Sequence, residues 1–183
     1  MGTVFTYVAD NALKPVQYPD WECHCCARTG LPIFDYMGKI ISPESASDPA
    51  LAREHPDVEA LCADCINSDS VEKWSDKSIA SFISRFATDQ QAAWKAFHKL
   101  PDMPGFAQYF DWPICCGMWC EFIGHPEGLA ELLELQGTHT YWQNGPANGA
   151  RDFANEGEPE TLWEISRFRC PSCEKYYYVD QFS

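Results

Sequence analysis

Ten cysteines fall in four short clusters along 183 residues: Cys23/Cys25/Cys26, Cys62/Cys65, Cys115/Cys116/Cys120 and Cys170/Cys173. This spacing constrains the fold more than any other feature. A two-residue spacer lets both sulfurs of a tight turn face one ion, and four soft thiolates complete a tetrahedron. Three clusters contain C-x2-C and one contains C-x3-C, so eight of the ten cysteines sit at ligand spacing. Paired in chain order they predict two sites, Cys23, Cys26, Cys62 and Cys65 in the first, and Cys116, Cys120, Cys170 and Cys173 in the second. Cys25 and Cys115 are then left over, each beside a proposed ligand, and spacing leaves crossed pairing open.

Two Zn2+ ions are the cofactors this pattern implies. Catalytic zinc keeps an open coordination position, usually among His and carboxylate ligands, whereas four cysteines close the shell. The ions are therefore expected to be structural, and folding is expected to depend on them. The chain opens without a basic n-region or a long apolar run, and no window approaches eighteen uninterrupted apolar residues. No secretory signal or membrane span is expected, and a reducing cytoplasm, where close cysteine pairs hold metal rather than disulfides, is the expected compartment.

The rest of the chain reads as α+β, with small antiparallel sheets, zinc-knuckle or zinc-ribbon elements and two or three helices. Residues 1–22 suggest an extended arm with a short strand around Val4, Phe5, Tyr7 and Val8, broken by Pro15 and Pro19. Residues 31–37 form a predicted strand that Lys39-Ile40-Ile41 can extend, and 42–58 read as a loop. Ser68 or Ser70 caps a predicted helix whose apolar stripe is Ile79, Phe82, Ile83 and Phe86. Ala93, Phe97 and Leu100 continue the stripe after a break near Thr88. A further helix opens at Pro126 and runs through Leu129, Leu132, Leu133 and Leu135 to Gly137. Residues 144–160 read as a mobile acidic loop, and 162–169 and 176–179 as strands flanking a cysteine turn. The whole is expected to be one zinc-stabilised domain with two lobes, 1–70 and 101–183, joined by a helical connection over 71–100.

Charge narrows the partners. The formal net charge is −14, from thirteen basic and twenty-seven acidic residues, which disfavours a nucleic-acid binder. Between Glu121 and Glu164 nine acidic residues face a single basic one, Arg151. A partner-binding surface is therefore expected to include Glu127, Glu131, Glu134, Glu156, Glu158 and Glu160, with Trp142 among the aromatic residues (Tyr141, Phe153 and Trp163) available as anchors.

Enzymatic motifs fail on inspection. His125-Pro126-Glu127 followed by Cys170-x2-Cys173 imitates the H-x-E … P-C-x-x-C arrangement of zinc deaminases, but Arg169 precedes Cys170 and two cysteines would lose their role. No HExxH, GxSxG, P-loop or GxGxxG sequence is present. Cys25, beside His24, and Cys115 are candidate reactive thiols, although neighbours of ligands in tight turns are more often packed. His55, His98 and His139 stand alone as surface or internally bonded histidines.

Phe5-Thr6-Tyr7 ahead of a C-x-C-C cluster and Leu61-Cys62-Ala63-Asp64-Cys65-Ile66 resemble the bacterial CbrC-like proteins associated with colicin tolerance. Pro104-Gly105-Phe106, the run from Cys116 to Gly124 and the run from Phe168 to Tyr176 are similar to further blocks of that family in the same order. The sequence departs from the family's pattern at Cys115, where His is expected, and in a longer, more helical 71–100. The resemblance implies a bacterial cytoplasmic protein linked to surviving a toxin. Joined to the acidic stretch, it leads to the expectation of a non-enzymatic immunity or tolerance protein that binds a cognate, basic toxin. Its rivals are a zinc-dependent enzyme acting on a small metabolite or nucleobase, and a zinc-ribbon regulatory protein.

Overall fold

The computed structural model describes residues 1–16, 20–41, 57–106, 109–145 and 151–181. Pro19, His55, residues 42–56 of the expected loop and 146–150 of the expected acidic loop lie outside them. The described chain is mixed α+β, with small sheets and five helices, three of which exceed two turns. It divides into two compact units that do not follow the expected lobes.

One unit comprises Lys14–Ser78 and Trp94–Met103. Its centre is β1 (Ile33–Ile40), the strand expected from the Leu31–Met37 run, with Ile33, Phe34 and Tyr36 buried. β1 lies between two antiparallel neighbours, β2 (Asp57–Cys62) and β3 (Val71–Lys73). Neither neighbour was expected. Ser68 and Ser70 do not cap a long helix; Ser68 closes the one-turn helix α1 (Ala63–Asn67), its hydroxyl donating to the Cys65 carbonyl at 2.7 Å. Residues 71–73 instead pair with β1, and the long helix α2 (Lys77–Phe86) begins after Asp76, whose carboxylate accepts the Ser78 amide at 2.8 Å. Its successor α3 (Gln90–Phe97) follows the expected break, with Asp89 accepting the Ala92 amide at 2.9 Å. The buried Lys73 donates to the Leu100 carbonyl at 3.0 Å and pairs with Asp102. That pairing offsets the hydration the ammonium loses on burial.

The other unit comprises Met1–Leu13, Ile79–Ala93 and Pro104–Ser183. It contains the two-stranded hairpin β4 (Ile114–Cys115) and β5 (Met118–Trp119), then β6 (Glu121–Gly124), α4 (Leu129–Thr138), β7 (Thr140–Tyr141), α5 (Phe153–Glu156), β8 (Ile165–Arg169) and β9 (Tyr176–Asp180). The four-stranded sheet has the order β6-β8-β9-β7, antiparallel except where β7 runs parallel to β9. The N-terminal arm makes bridges rather than the expected strand: Val8 lies parallel to Phe122, and the Phe122 amide donates to the Tyr7 carbonyl at 2.8 Å.

The core of this unit gathers Leu132 and Leu135 of α4 with Phe153, Ile165 and Tyr178. Phe153 belongs to α5, inside the segment expected to be a loop, where Asp152 caps the helix by accepting the Ala154 amide at 3.1 Å. One fully buried phenylalanine is enough to hold such a segment, since losing it costs about 3–5 kcal/mol. A second aromatic cluster sets Phe82 and Phe86 of α2 against Trp142, 6.3 and 5.3 Å away. Trp119 joins it, 6.0 Å from Phe82, with its indole N–H donating to the Ala93 carbonyl at 2.9 Å.

Candidate functional site

Two groups of four cysteines have all their sulfurs within 4.8 Å of one another: Cys23, Cys26, Cys62 and Cys65, and Cys115, Cys116, Cys170 and Cys173. We call them cluster 1 and cluster 2. They are the only such groupings of metal-binding side chains among the described residues. A regular tetrahedron with ~2.3 Å bonds has edges of about 3.8 Å. The sulfur separations match: Cys26 and Cys62 are 3.9 Å apart, Cys115 and Cys116 3.9 Å, and Cys115 and Cys173 3.6 Å. Four thiolates on such a tetrahedron can hold one metal ion each time, with no position left open.

Each cluster contains one knuckle, and the two knuckles share one backbone design. At Cys23–Cys26 the Ala27 amide donates to the Cys23 carbonyl at 2.7 Å, and the Cys23 amide to the Arg28 carbonyl at 3.0 Å. At Cys170–Cys173 the Glu174 amide donates to the Cys170 carbonyl at 3.0 Å, and the Cys170 amide to the Lys175 carbonyl at 2.8 Å. The residue after the second cysteine turns left-handed in both, Ala27 at φ 55° and Glu174 at φ 58°. Neither is glycine, so each knuckle holds a conformation that ordinary side chains resist.

The remaining ligands arrive differently. In cluster 1, Cys62 ends β2 and Cys65 lies in the first turn of α1, so a strand–helix junction aims both sulfurs at the knuckle. In cluster 2 they stand side by side at the tip of the β4–β5 hairpin. Cys115 pairs with Met118 across the ladder, and Cys116 and Gly117, at φ 54° and 81°, form the two-residue turn. Positive φ at both central positions is the turn that matches strand twist.

This hairpin corrects the expected ligand set: Cys115 is in cluster 2 and Cys120 is not. Cys120 lies beyond β5, fully buried, its amide donating to the Pro113 carbonyl at 2.8 Å and its carbonyl accepting from the Trp112 indole at 2.7 Å. The C-x3-C spacing counted residues along a chain that in fact reverses direction at Cys116-Gly117. Burial, then the nearby thiols Cys170 and Cys115, pushes the Cys120 thiol up, as expected of a packed cysteine. Cys25, the other leftover, is half-buried beside Cys65.

The environments of the clusters diverge. In cluster 1, Cys23, Cys62 and Cys65 are buried and only Cys26 is exposed. The Arg28 guanidinium donates to the Cys26 sulfur at 3.2 Å and to the Cys62 sulfur at 3.5 Å, and is held by Asp64 at 2.6 Å. Arg28 draws the Cys26 thiol down to about 6, while burial pushes Cys62 and Cys65 up. In cluster 2 only Cys170 is buried, Cys115 is half-exposed, and Cys116 and Cys173 are exposed. The Tyr177 hydroxyl donates to the Cys115 sulfur at 3.1 Å, but burial still pushes that thiol up to about 12. The Lys175 amide brings Cys173 down to about 7.

Comparison of the chain with protein-family models, with curated proteins and with solved structures finds no match. No family is shown.

The other expected site residues are placed as follows. His125 is not at a cluster; its Nδ1 meets the Ile165 carbonyl at 2.8 Å and its ring packs on Trp163 at 4.7 Å. Trp142 is a correction: at 1% exposure it is core, so it presents nothing to a partner. Phe153 is buried and Tyr141 half-buried, leaving Trp163, 58% exposed, as the surface aromatic of that region. The glutamates are on the surface. Glu127, Glu134, Glu156, Glu158 and Glu160 are exposed, and Glu131 pairs with Arg167 at 2.9 Å. Glu158 accepts the Leu129 amide at 2.7 Å, which brings the 156–160 segment to the start of α4. None of the described helices is long and apolar enough to cross a membrane.

Proposed function

We propose that the chain is a non-enzymatic, zinc-stabilised immunity or tolerance protein of the CbrC-like kind, which neutralises a basic toxin through an acidic surface. The observation that carries this reading is the surface position of Glu127, Glu131 and Glu134 on and just before α4, with Glu158 held at its start, in a chain whose four-thiolate clusters leave no coordination position for substrate. Zinc suits the clusters because a soft tetrahedral thiolate set favours it and demands no redox change. Acidic surfaces accelerate encounter with basic partners by electrostatic steering, and like charge turns other partners away. Trp163 supplies the rigid apolar anchor that such interfaces use.

The test is co-expression with basic bacteriocin nuclease domains, followed by binding of the purified pair at increasing salt. Protection of the cells and association that weakens steeply with salt are expected, and Glu127→Lys, Glu131→Lys and Glu134→Lys together should slow association most. Binding that ignores both salt and charge reversal, or no protection by a protein that retains its metal, would discard the reading.

A further inference from the structure

Cluster 2 differs from cluster 1 in exposure and in charge, and the difference concerns its reactivity rather than its shape. Once four thiolates hold an ion, each is already deprotonated, so access and electron density on sulfur decide which is attacked. In cluster 1 the exposed Cys26 sulfur is covered by the Arg28 Nε at 3.2 Å. A cationic donor withdraws electron density from that sulfur and stands where an electrophile would approach. Cluster 2 has no cation on its sulfurs among the described contacts; its donors are neutral, the Tyr177 hydroxyl on Cys115 and the Lys175 amide on Cys173. Its Cys173 is exposed, and the half-exposed Cys115 sulfur lies 3.6 Å from it across 58 positions of sequence.

We propose that cluster 2 is an oxidation site, at which hydrogen peroxide joins Cys173 to Cys115 and releases the metal ion, while cluster 1 keeps its own. The inference rests on the reading that both clusters hold metal. In the first step the Cys173 thiolate attacks one peroxide oxygen: an S–O bond forms, the O–O bond breaks, and the departing oxygen leaves as hydroxide. In the second step the Cys115 thiolate attacks the sulfur of Cys173, an S–S bond forms, and a second hydroxide leaves. Two protons from solvent convert both hydroxides to water. Two electrons pass from the sulfurs to the peroxide, and the ion, left with two thiolates, departs as a dication of unchanged charge.

The partner of Cys173 follows from geometry. The Cys115 sulfur lies 3.6 Å from Cys173 and 3.9 Å from Cys116, and a Cys115–Cys116 bridge between adjacent residues would close a small, strained ring around a planar peptide. Cys170 is buried, out of reach of a soluble peroxide. Closing Cys115 to Cys173 requires the hairpin tip and the knuckle to approach by roughly 1.5 Å, from 3.6 Å to a bond of about 2.05 Å.

The experiment treats the full-length, metal-loaded protein with hydrogen peroxide, follows release with a zinc-sensitive dye, and maps cross-linked peptides by mass spectrometry. One of the two metal equivalents should leave together with formation of the Cys115–Cys173 disulfide. The second should leave more slowly by roughly tenfold or more, the rate equivalent of a charge-assisted hydrogen bond. Arg28→Ala should close that gap, and Cys173→Ser should abolish the cross-link while its remaining equivalent stays peroxide-resistant. Parallel loss of both equivalents from the unaltered protein, or a first disulfide within Cys23–Cys65, would overturn the proposal and leave the metal reading intact. Protein that carries no metal at all would overturn both, and calling on metal analysis before the titration separates the two failures.

Discussion

Clusters 1 and 2 share a knuckle but not the structure that completes it, and the contrast shows how the same four-sulfur geometry acquires different properties. In cluster 1 a strand end and a helix start deliver two buried cysteines, and Arg28 spans the sulfurs. In cluster 2 a tight hairpin delivers adjacent cysteines at an exposed tip. A knuckle needs only local backbone bonds and one left-handed residue, so it can be repeated in unrelated surroundings. What surrounds the sulfurs is set by tertiary packing, and it determines shielding, charge and access.

The sharpest way to break the comparison is to test ligand identity. Cys115→Ser should reduce bound metal from two equivalents to one and unfold the unit that contains cluster 2, because metal supplies roughly 10 kcal/mol of folding energy to such sites. Cys120→Ala should retain both equivalents, at a cost of about 1 kcal/mol for the small cavity it leaves. Metal analysis of the two purified variants decides it; loss of metal from Cys120→Ala with retention by Cys115→Ser would restore the ligand set expected from linear spacing.

A smaller effect tests whether the hairpin tip matters. Gly117 has φ 81°, and a Cβ there would collide with the Thr88 side chain. Gly117→Ala should cost about 1–3 kcal/mol in chemical denaturation and weaken metal binding at cluster 2 while sparing cluster 1. Equal weakening at both would show that the clusters do not fold independently of that turn.

Lys73 and Asp111 show two ways of burying a titratable group. Lys73, in the unit of cluster 1, has Asp102 as its counter-ion, whereas Asp111, in the unit of cluster 2, is 1% exposed and accepts the Asn144 amide at 2.7 Å. Burial pushes Asp111 up to about 7. The folded chain therefore holds a proton that the unfolded chain releases near pH ~4. That contribution to stability is fully present below the unfolded value and is lost as pH rises through the folded one. Asp111→Asn cannot titrate, so its stability relative to the parent should improve by ~2 kcal/mol between pH 5 and pH 8. A flat difference across that range in urea melts would remove the buried proton from the account.

The smallest expected effect concerns the neutral donor of cluster 2. Tyr177→Phe removes the hydroxyl at 3.1 Å from the Cys115 sulfur and should weaken metal binding there several-fold, equivalent to about 1 kcal/mol, in competition with a chelator. An unchanged affinity would leave exposure, rather than hydrogen bonding, as the property that separates the clusters.

Much of the architecture was legible in the amino-acid sequence. The β1 run, the break near Thr88, the α4 leucines and the strand–knuckle–strand ending all rest on local periodicity and turn chemistry, which act within a few residues. β2 and β3 escaped because their pairing partner is β1, and short strands acquire their identity from the neighbour that satisfies their backbone. Phe153 was legible as an aromatic residue but not as core, since only packing against Leu132, Ile165 and Tyr178 buries it. Trp142 reads as a surface anchor in an acidic stretch, yet the parallel pairing of β7 with β9 directs it into the aromatic cluster.

By itself the sequence determined that paired cysteines would form four-sulfur sites, because C-x2-C spacing is a local geometric property that survives any tertiary arrangement. It also determined the acidic character of α4 and the segment that follows. The tertiary structure alone decided that Cys115 rather than Cys120 completes cluster 2. Along the chain both cysteines flank Cys116 within four residues, and only the reversal at Cys116-Gly117 carries one sulfur to the tip and leaves the other in the core.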